Sequence, residues 1–121
     1  MKAVLESGEP IVTSDLIGVE FTSAVTRRVR AGRLASAERD AVLSLFAQTR
    51  IRFESVPVSE EILQGASELV LRRELRSLDA IQLASALSVK GDSPAPFRFG
   101  SGDAHLNAAA KAEGLELLAA G

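Results

Sequence analysis

The sequence has 121 residues, of which 46% are hydrophobic and 25% are charged, and its formal net charge is −2. This balance predicts a single globular domain over residues 1–121, and the net charge argues against binding nucleic acid by bulk electrostatics. Cysteine is absent and histidine occurs once, which excludes disulfide frameworks, cysteine zinc sites and thiol nucleophiles. Any bound metal ion is therefore expected to have oxygen ligands.

Hydropathy along the chain places the protein in an aqueous compartment. No apolar run approaches the roughly 20 residues of a membrane span, and the first residues, MKAVLESGEP, lack the apolar core of a signal peptide. We therefore expect a cytoplasmic protein with no membrane partner.

The first half of the chain predicts a strand, two helices and a second strand. The expected ranges are residues 10–13, from 14 or 15 to 32, 36–50 and 51–58. Ser14 or Asp15 stands where an N-cap precedes the first helix, and Gly32 ends that helix. Pro57 marks the second strand as one near a sheet edge.

The next segment predicts two helices with a short break between them. Ser59 is expected to cap the first, whose buried stripe is Ile62, Ala66, Leu69 and Val70. The break is the arginine-rich stretch 72–76. Ser77 is then expected to cap a helix running from residue 78 to about residue 90, which is apolar on most sides through Leu83, Ala84, Ala86 and Leu87. Such a helix is usually buried against a sheet.

The last segment predicts a loop, a strand, a helix and a closing strand. The expected loop is 91–96 and the expected strands are 97–101 and 115–118, with Asp103 as N-cap and Gly114 as the C′ residue of the helix between them. Strands that alternate with helices predict an α/β fold with a parallel sheet covered on both faces. Ligands in such folds gather at the carboxyl ends of the strands.

Three acidic residues stand close to the predicted starts of helices. Glu20 lies beside Ile17 and Ala24 near the start of its helix, Asp79 lies in a first turn, and Asp103 follows a strand. If one rim of the sheet brings them together, their mutual repulsion favours a divalent cation, and an oxygen-only donor set favours Mg²⁺ or Mn²⁺. The alternative is that Asp79 and Asp103 are ordinary helix-start residues without any function.

Three segments of the sequence resemble motifs of a known protein family. The segments IVTSDLIGVEF, LRSLDAIQLASAL and FGSGDAHLNAAAKAEGL resemble, in that order, the second, third and fourth acidic motifs of the PIN-domain family, particularly the VapC toxins. The resemblance implies a three-layer α/β fold and an endoribonuclease that uses Mg²⁺ or Mn²⁺ to hydrolyse RNA. It also implies a cognate antitoxin that reaches into the site, and a homodimer.

The resemblance also implies roles for particular residues. Glu20, Asp79 and Asp103 become metal-site acids, and the hydroxyl of Ser101 orients the metal ion or the water. Arg72, Arg73 and Arg76 become candidates for contacting the RNA backbone, with plain solvation as the alternative.

One part of the family pattern is missing. The family begins with a central strand that carries an aspartate, and residues 1–8 here resemble instead the end of the helix that follows it. We therefore expect a truncated chain that starts about 25 to 30 residues late. We expect the sheet to compensate by direct pairing of the strands at Ile11 and Phe97, by a swap between subunits or with an upstream segment. A missing ligand also predicts much reduced nuclease activity.

Other polar residues and glycines lie close to these acids in the sequence. Asp15 is expected to be a helix cap rather than a replacement acid, and His105 a solvent-facing helix residue rather than a substrate contact. Asn107 is a possible polar neighbour of the site. The glycines around Ser101 match no phosphate-binding fingerprint and predict a tight turn.

Two other functions stay open from the residues alone. One is a PIN-like module that has lost catalysis and binds an antitoxin or RNA. The other is an unrelated α/β protein in which the three acids only cap helices.

Overall fold

A computed structural model describes residues 11–50, 53–92 and 97–118 of the chain. Within these ranges the chain forms four strands and five helices. In chain order they are β1 (Ile11–Ser14), α1 (Ile17–Arg30), α2 (Ser36–Thr49), β2 (Phe53–Val56), α3 (Glu60–Arg73), α4 (Ser77–Asp92), β3 (Arg98–Phe99), α5 (Ala104–Ala112) and β4 (Glu116–Leu117). The predicted α/β class and the order of helices and strands are confirmed.

The strands form two parallel pairs. β1 pairs with β2 from Ile11 opposite Phe53 to Ser14 opposite Val56, and β3 pairs with β4. No ladder joins β1 to β3 within the described ranges, so direct pairing of the strands predicted at Ile11 and Phe97 is wrong there. The predicted features of residues 1–8 and 93–96 lie outside the described residues.

The start of α3 agrees with the sequence prediction, and its buried face agrees in part. Ser59 Oγ accepts a hydrogen bond of 3.2 Å from the backbone N–H of Ile62, which confirms the predicted cap. Ile62, Ala66 and Leu69 are buried as predicted, whereas Val70 is 38% exposed. The prediction for Val70 is wrong because successive helical residues point about 100° apart, and α4 covers the face that Leu69 occupies.

The break between α3 and α4 is shorter than predicted. α3 continues through Arg73, and the turn consists of residues 74–76. Glu74 ends the helix in the left-handed region, with φ 55° and ψ 41°. α4 begins at Ser77, so its cap position falls on Arg76, whose carbonyl accepts a hydrogen bond from Ala80 N. The cap predicted at Ser77 is wrong by one residue.

The start of α1 also differs from the prediction. Leu16 occupies the N-cap position without a side-chain cap, so the cap predicted at Ser14 or Asp15 is wrong. Ser14 Oγ nevertheless accepts a hydrogen bond of 3.1 Å from Leu16 N, which orders the turn into the helix. The ring of Phe21 in α1 stacks on that of Phe46 in α2, with 4.0 Å between the ring centroids, and this contact joins the two helices.

Helix α4 lies at the centre of the described structure. It contacts α3, α5 and β1, and its residues Leu83, Ala84 and Ala86 are buried as predicted. These side chains join a core that includes Leu69 of α3 and Leu106 of α5. Helix α4 therefore packs between elements from both halves of the chain. None of the helices in the described ranges is long and apolar enough to cross a membrane.

Candidate active site

Three helices each have an acidic residue at the N-terminal end. Glu20 lies in the first turn of α1, Asp79 in the first turn of α4, and Asp103 is the N-cap of α5. The partial positive charge at a helix N-terminus favours a carboxylate there. This placement is expected both for a shared metal site and for acids that only stabilise helix starts. The contacts of each carboxylate distinguish the two explanations.

The carboxylate of Glu20 is half-buried and only partly satisfied. Its Oε2 accepts a hydrogen bond of 2.6 Å from Gln82 Nε2 on α4, while its Oε1 is buried without a hydrogen-bond partner. Burial raises the pKa of Glu20 above its ordinary value of 4.5, the negative charge of Asp79 raises it further, and the hydrogen bond from Gln82 opposes the shift. Glu20 and Asp79 are therefore close enough to repel each other.

Asp79 faces an arginine as well as Glu20. Its Oδ2 accepts hydrogen bonds of 3.3 Å and 3.4 Å from Nη2 and Nε of Arg76. The Asp79 side chain is 22% exposed, whereas that of Arg76 is 82% exposed. Because Arg76 stands at the start of the same helix, this contact needs no long-range folding to form.

Asp103 divides its two oxygens between different partners. Oδ1 accepts hydrogen bonds from the backbone N–H groups of His105 at 2.8 Å and Leu106 at 3.1 Å, which confirms the predicted N-cap. Oδ2 accepts a hydrogen bond of 3.5 Å from Arg76 Nη2. The bond from Leu106 is the main cause of the lowered pKa of Asp103. Oδ2 is thus the oxygen that Asp103 can offer to an ion.

Ser101 and Asn107 fix the turn that carries Asp103. Asn107 Oδ1 accepts hydrogen bonds from Ser101 N at 3.1 Å and from Ser101 Oγ at 2.9 Å, and Asn107 Nδ2 donates one of 3.0 Å to Ser101 O. Ser101 Oγ also accepts a bond from Asp103 N. The hydroxyl of Ser101 is therefore engaged inside the turn, where it positions Asp103.

The three arginines named as candidates for contacting RNA have different surroundings. Arg72 donates two hydrogen bonds to the carboxylate of Glu113, at 3.0 Å and 2.7 Å, and Arg73 donates one of 2.7 Å to the same group. These bonds lower the pKa of Glu113 to about 2, with Arg72 as the larger cause. Arg72 and Arg73 thus join α3 to the end of α5, and Arg76 alone of the three pairs with the candidate acids.

Other polar residues lie at the margin of this group. Asp15 is exposed between β1 and α1, where its backbone N–H donates to Val56 O. His105 is also exposed, with Nε2 at 3.4 Å from the carbonyl oxygen of Glu74. Gly100 lies against Leu118, so an added Cβ, 2.6 Å from Leu118 Cδ1, would require the Leu118 side chain to shift.

Sequence reasoning missed Gln82 and undervalued Asn107. Both are polar residues within helices that are otherwise rich in alanine and leucine, and Gln82 follows Asp79 by three positions, on the same face of α4. This interruption of an apolar helix was the available signal. Their partners, Glu20 and Ser101, come from other elements and could not be read from that signal.

The site fits a divalent cation only in part. Glu20 Oε1 is a buried oxygen without a partner beside a second carboxylate, and oxygen donors of this kind suit Mg²⁺ or Mn²⁺. Among the residues that the structure describes, however, no three or more acidic or histidine side chains form a group able to hold a metal ion. Glu20 and Asp79 are brought together, and Asp103 is linked to them through Arg76.

The parallel strand pairs that alternate with helices define the class of the fold as α/β. The PIN-domain family matches residues 1–93, so the chain belongs to that family and its fold is that of a PIN domain. PIN domains are in general metal-dependent nucleases that bind RNA. The match includes Glu20 and Asp79 but not Asp103, and it removes the alternative of an unrelated α/β protein. No curated protein matches the chain.

Proposed function

We propose that this protein is a Mg²⁺- or Mn²⁺-dependent endoribonuclease, the toxin of a toxin–antitoxin pair, which hydrolyses phosphodiester bonds in RNA. The observation that carries the proposal is the half-buried carboxylate of Glu20, which has an unpartnered oxygen and lies near Asp79 on another helix. Structural carboxylates are normally paired with a cation or fully hydrogen-bonded. Membership of the PIN-domain family supports a nuclease reaction at this pair.

The residues would divide the work as follows. Glu20 and Asp79 would hold the ion, with Gln82 orienting Glu20 through its amide. Asp103 would add its Oδ2, which the turn of Ser101 and Asn107 holds in place. When bound, the ion would activate a water and neutralise the charge that develops on the phosphodiester.

RNA contact is assigned to Arg76 rather than to its neighbours. Arg76 is 82% exposed and stands beside the acids, so its guanidinium can donate to a phosphate oxygen there. Arg72 and Arg73 are already committed to Glu113, which makes them poorer RNA ligands. An RNA substrate also supports the expected cytoplasmic location.

Protein partners are proposed from the resemblance to VapC toxins. Val19, next to Glu20 on α1, is 72% exposed, and Leu45 on α2 is 64% exposed. The exposed apolar side chain of Val19 is adjacent in sequence to Glu20 and is available for a protein contact there. We propose a cognate antitoxin as that partner, and dimerisation of the toxin itself.

Cleavage of a long single-stranded RNA in Mn²⁺ tests the nuclease proposal. The wild-type chain is expected to cut internally at the much reduced rate predicted from the missing ligand, EDTA to stop the reaction, and Asp79→Asn and Glu20→Gln each to lower the rate to background. Asp40→Asn removes an exposed acid of α2 and is the matched control, with no change expected. Cleavage that persists in both site variants would show that the activity comes from elsewhere.

A second function is favoured by one observation. Asp103 uses one oxygen for the α5 backbone and the other for Arg76, so both oxygens of the third acid already have partners. A PIN-like module that binds RNA or an antitoxin without cutting would tolerate this arrangement. It predicts RNA binding that is unchanged in Asp79→Asn, without cleavage in either protein.

A further inference from the structure

The guanidinium of Arg76 stands where two carboxylates from different helices face each other. Arg76 Nη2 lies 3.3 Å from Asp79 Oδ2 and 3.5 Å from Asp103 Oδ2. Asp79 belongs to the first turn of α4, and Asp103 caps α5. Arg76 is thus a positive charge shared between two of the acids proposed to hold a metal ion.

This contact is much weaker than the other arginine contacts of the same segment. Arg72 meets Glu113 at 2.7 Å with a side chain that is 48% exposed, whereas Arg76 makes longer contacts and is 82% exposed. Long, exposed ion pairs contribute little free energy, and the side chain moves easily between rotamers. The base of Arg76 is nevertheless fixed, because its carbonyl accepts a hydrogen bond from Ala80 N. The guanidinium can therefore leave the acids while the backbone stays in place.

In Asp103, Arg76 contacts the oxygen that an ion would need. Asp103 Oδ1 is occupied by the backbone N–H groups of His105 and Leu106, so only Oδ2 is available, and Arg76 donates to it. Asp79 likewise meets Arg76 through its Oδ2. A divalent cation carries twice the charge of a guanidinium and binds carboxylate oxygens at a shorter distance, so it outcompetes a loosely held arginine.

We infer that Arg76 is an exchangeable counter-cation, which neutralises Asp79 and Asp103 when no divalent ion is bound and gives up their oxygens when the ion binds. Once displaced, its guanidinium is free to donate to a phosphate oxygen of the RNA. The inference rests on the proposed nuclease site. It adds that metal binding and arginine–phosphate contact are coupled, because one side chain cannot serve the carboxylates and the substrate at the same time.

The sign of one substitution separates this role from the alternatives. An exchangeable arginine competes with the ion, so Arg76→Gln should tighten Mn²⁺ binding. If Arg76 only contacted RNA, Arg76→Gln would leave the Mn²⁺ affinity unchanged. If Arg76 only stabilised the fold, Arg76→Gln would lower the melting temperature equally with and without Mn²⁺.

The test is a Mn²⁺ titration of the purified chain, followed by calorimetry and by melting temperature. We expect the Kd for Mn²⁺ to fall about threefold to tenfold in Arg76→Gln and to fall less in Arg76→Lys, which keeps the charge without the planar fork. Lys111→Gln is the control, since it removes one exposed positive charge from α5 without touching the acids. It should change the Kd less than about twofold.

RNA binding gives a second readout that does not depend on cleavage. A short single-stranded RNA is titrated in Ca²⁺, which supplies a divalent ion with poor support for cleavage, and again in EDTA. Arg76→Gln should weaken RNA binding in Ca²⁺ and reduce the slope of log K against log salt by about one, with little effect in EDTA. An equal loss of affinity in both buffers would overturn the coupling.

The outcomes also separate this inference from the proposed function. If Mn²⁺ binds the wild type and Arg76→Gln equally well, or binds the variant more weakly, the exchange is wrong while the nuclease site stands. If Mn²⁺ neither binds nor stabilises either protein, the proposed metal site fails and the exchange fails with it.

Discussion

Gln82 Nε2 donates a hydrogen bond of 2.6 Å to Glu20 Oε2, and this bond joins α4 to α1 across 62 positions of the sequence. Gln82 holds one oxygen of Glu20 so that the other, Oε1, is left without a partner. The amide thus positions the carboxylate on which the proposed metal site depends.

Replacing Gln82 should weaken metal binding although Gln82 is not a proposed ligand. Gln82→Met keeps the length of the side chain and removes the donor, so the Glu20 carboxylate loses its orientation. Second-sphere partners of this kind typically contribute about tenfold to hundredfold in metal affinity. We expect a Kd for Mn²⁺ raised by about tenfold, measured by calorimetry. Gln48→Met on the exposed side of α2 is the control, and an equal effect there would remove Gln82 from the site.

The pH dependence of stability should report the ionisation of Glu20. Burial, and then the charge of Asp79, raise the pKa of Glu20 above 4.5. A raised folded-state pKa means that the protonated form stabilises the fold at low pH, and that this contribution is lost as the pH rises through the folded-state value. Without divalent ions, Glu20→Gln should therefore melt at a higher temperature than the wild type at neutral pH, with the difference shrinking toward pH 4.5.

The comparison uses thermal melts in EDTA across this pH range, with Glu54→Gln as an exposed control on β2. A difference between Glu20→Gln and the wild type that stays constant with pH would contradict the assignment. Adding Mn²⁺ should reverse the order, because only the wild type gains stability from the ion.

The contact of Glu113 with Arg72 and Arg73 should stabilise the fold rather than serve the site. The Glu113 side chain is 11% exposed and its pKa is lowered to about 2, principally by the hydrogen bond from Arg72. Glu113→Gln should lower the free energy of unfolding by about 1 to 2 kcal/mol at neutral pH. The stabilisation is present above the ordinary pKa of 4.5 and is lost as the pH falls through about 2.

Urea unfolding at several pH values measures this effect. The loss in Glu113→Gln should shrink below pH 4.5, because the carboxylate of the unfolded chain takes up a proton there, whereas that of the folded protein keeps its charge until the pH approaches about 2. Glu54→Gln again serves as the control. A loss that is independent of pH would show that packing, and not the charge, is what Glu113 contributes.

Asn107 should be needed for the position of Asp103 more than for the fold. Asn107→Ala removes both directions of its contact with Ser101, and should cost about 1 to 2 kcal/mol. The cleavage rate of the variant should fall even at temperatures where the variant stays folded, because the turn that carries Asp103 loses the hydrogen bonds that fix it. Asn107→Ser, a shorter polar replacement, should restore only part of the rate. Unchanged cleavage in Asn107→Ala at a temperature well below its melting point would contradict this role.

The turn between α3 and α4 contains a backbone that glycine would suit better. Glu74 has φ 55°, in the left-handed region, where a side chain costs on the order of 1 kcal/mol. Glu74→Gly should therefore raise the free energy of unfolding by up to about 1 kcal/mol, whereas Glu74→Ala, which keeps a Cβ, should bring no gain. Equal stability of the two variants in urea would show that the conformation carries no cost.

Some features of this protein were determined by short stretches of its sequence. The cap at Ser59, the cap at Asp103 and the positive φ of Gly114 depend on hydrogen bonds and backbone preferences within a few residues, and all three were predicted correctly. The order of helices and strands was also predicted, because apolar spacing of three and four, or of two, is set by the geometry of one element at a time. The resemblance to PIN domains came from local motifs of the same kind.

The tertiary structure decided which side chains meet. Arg72 and Arg73 were predicted to lie in a break, but α3 extends through them and Glu113, about 40 positions later, binds both. Gln82 was overlooked because its partner, Glu20, belongs to another helix. Contacts between distant residues depend on the packing of whole helices, so no local pattern contains them. For the same reason, the sequence could nominate three acids, and only the fold could show that Arg76 stands between two of them.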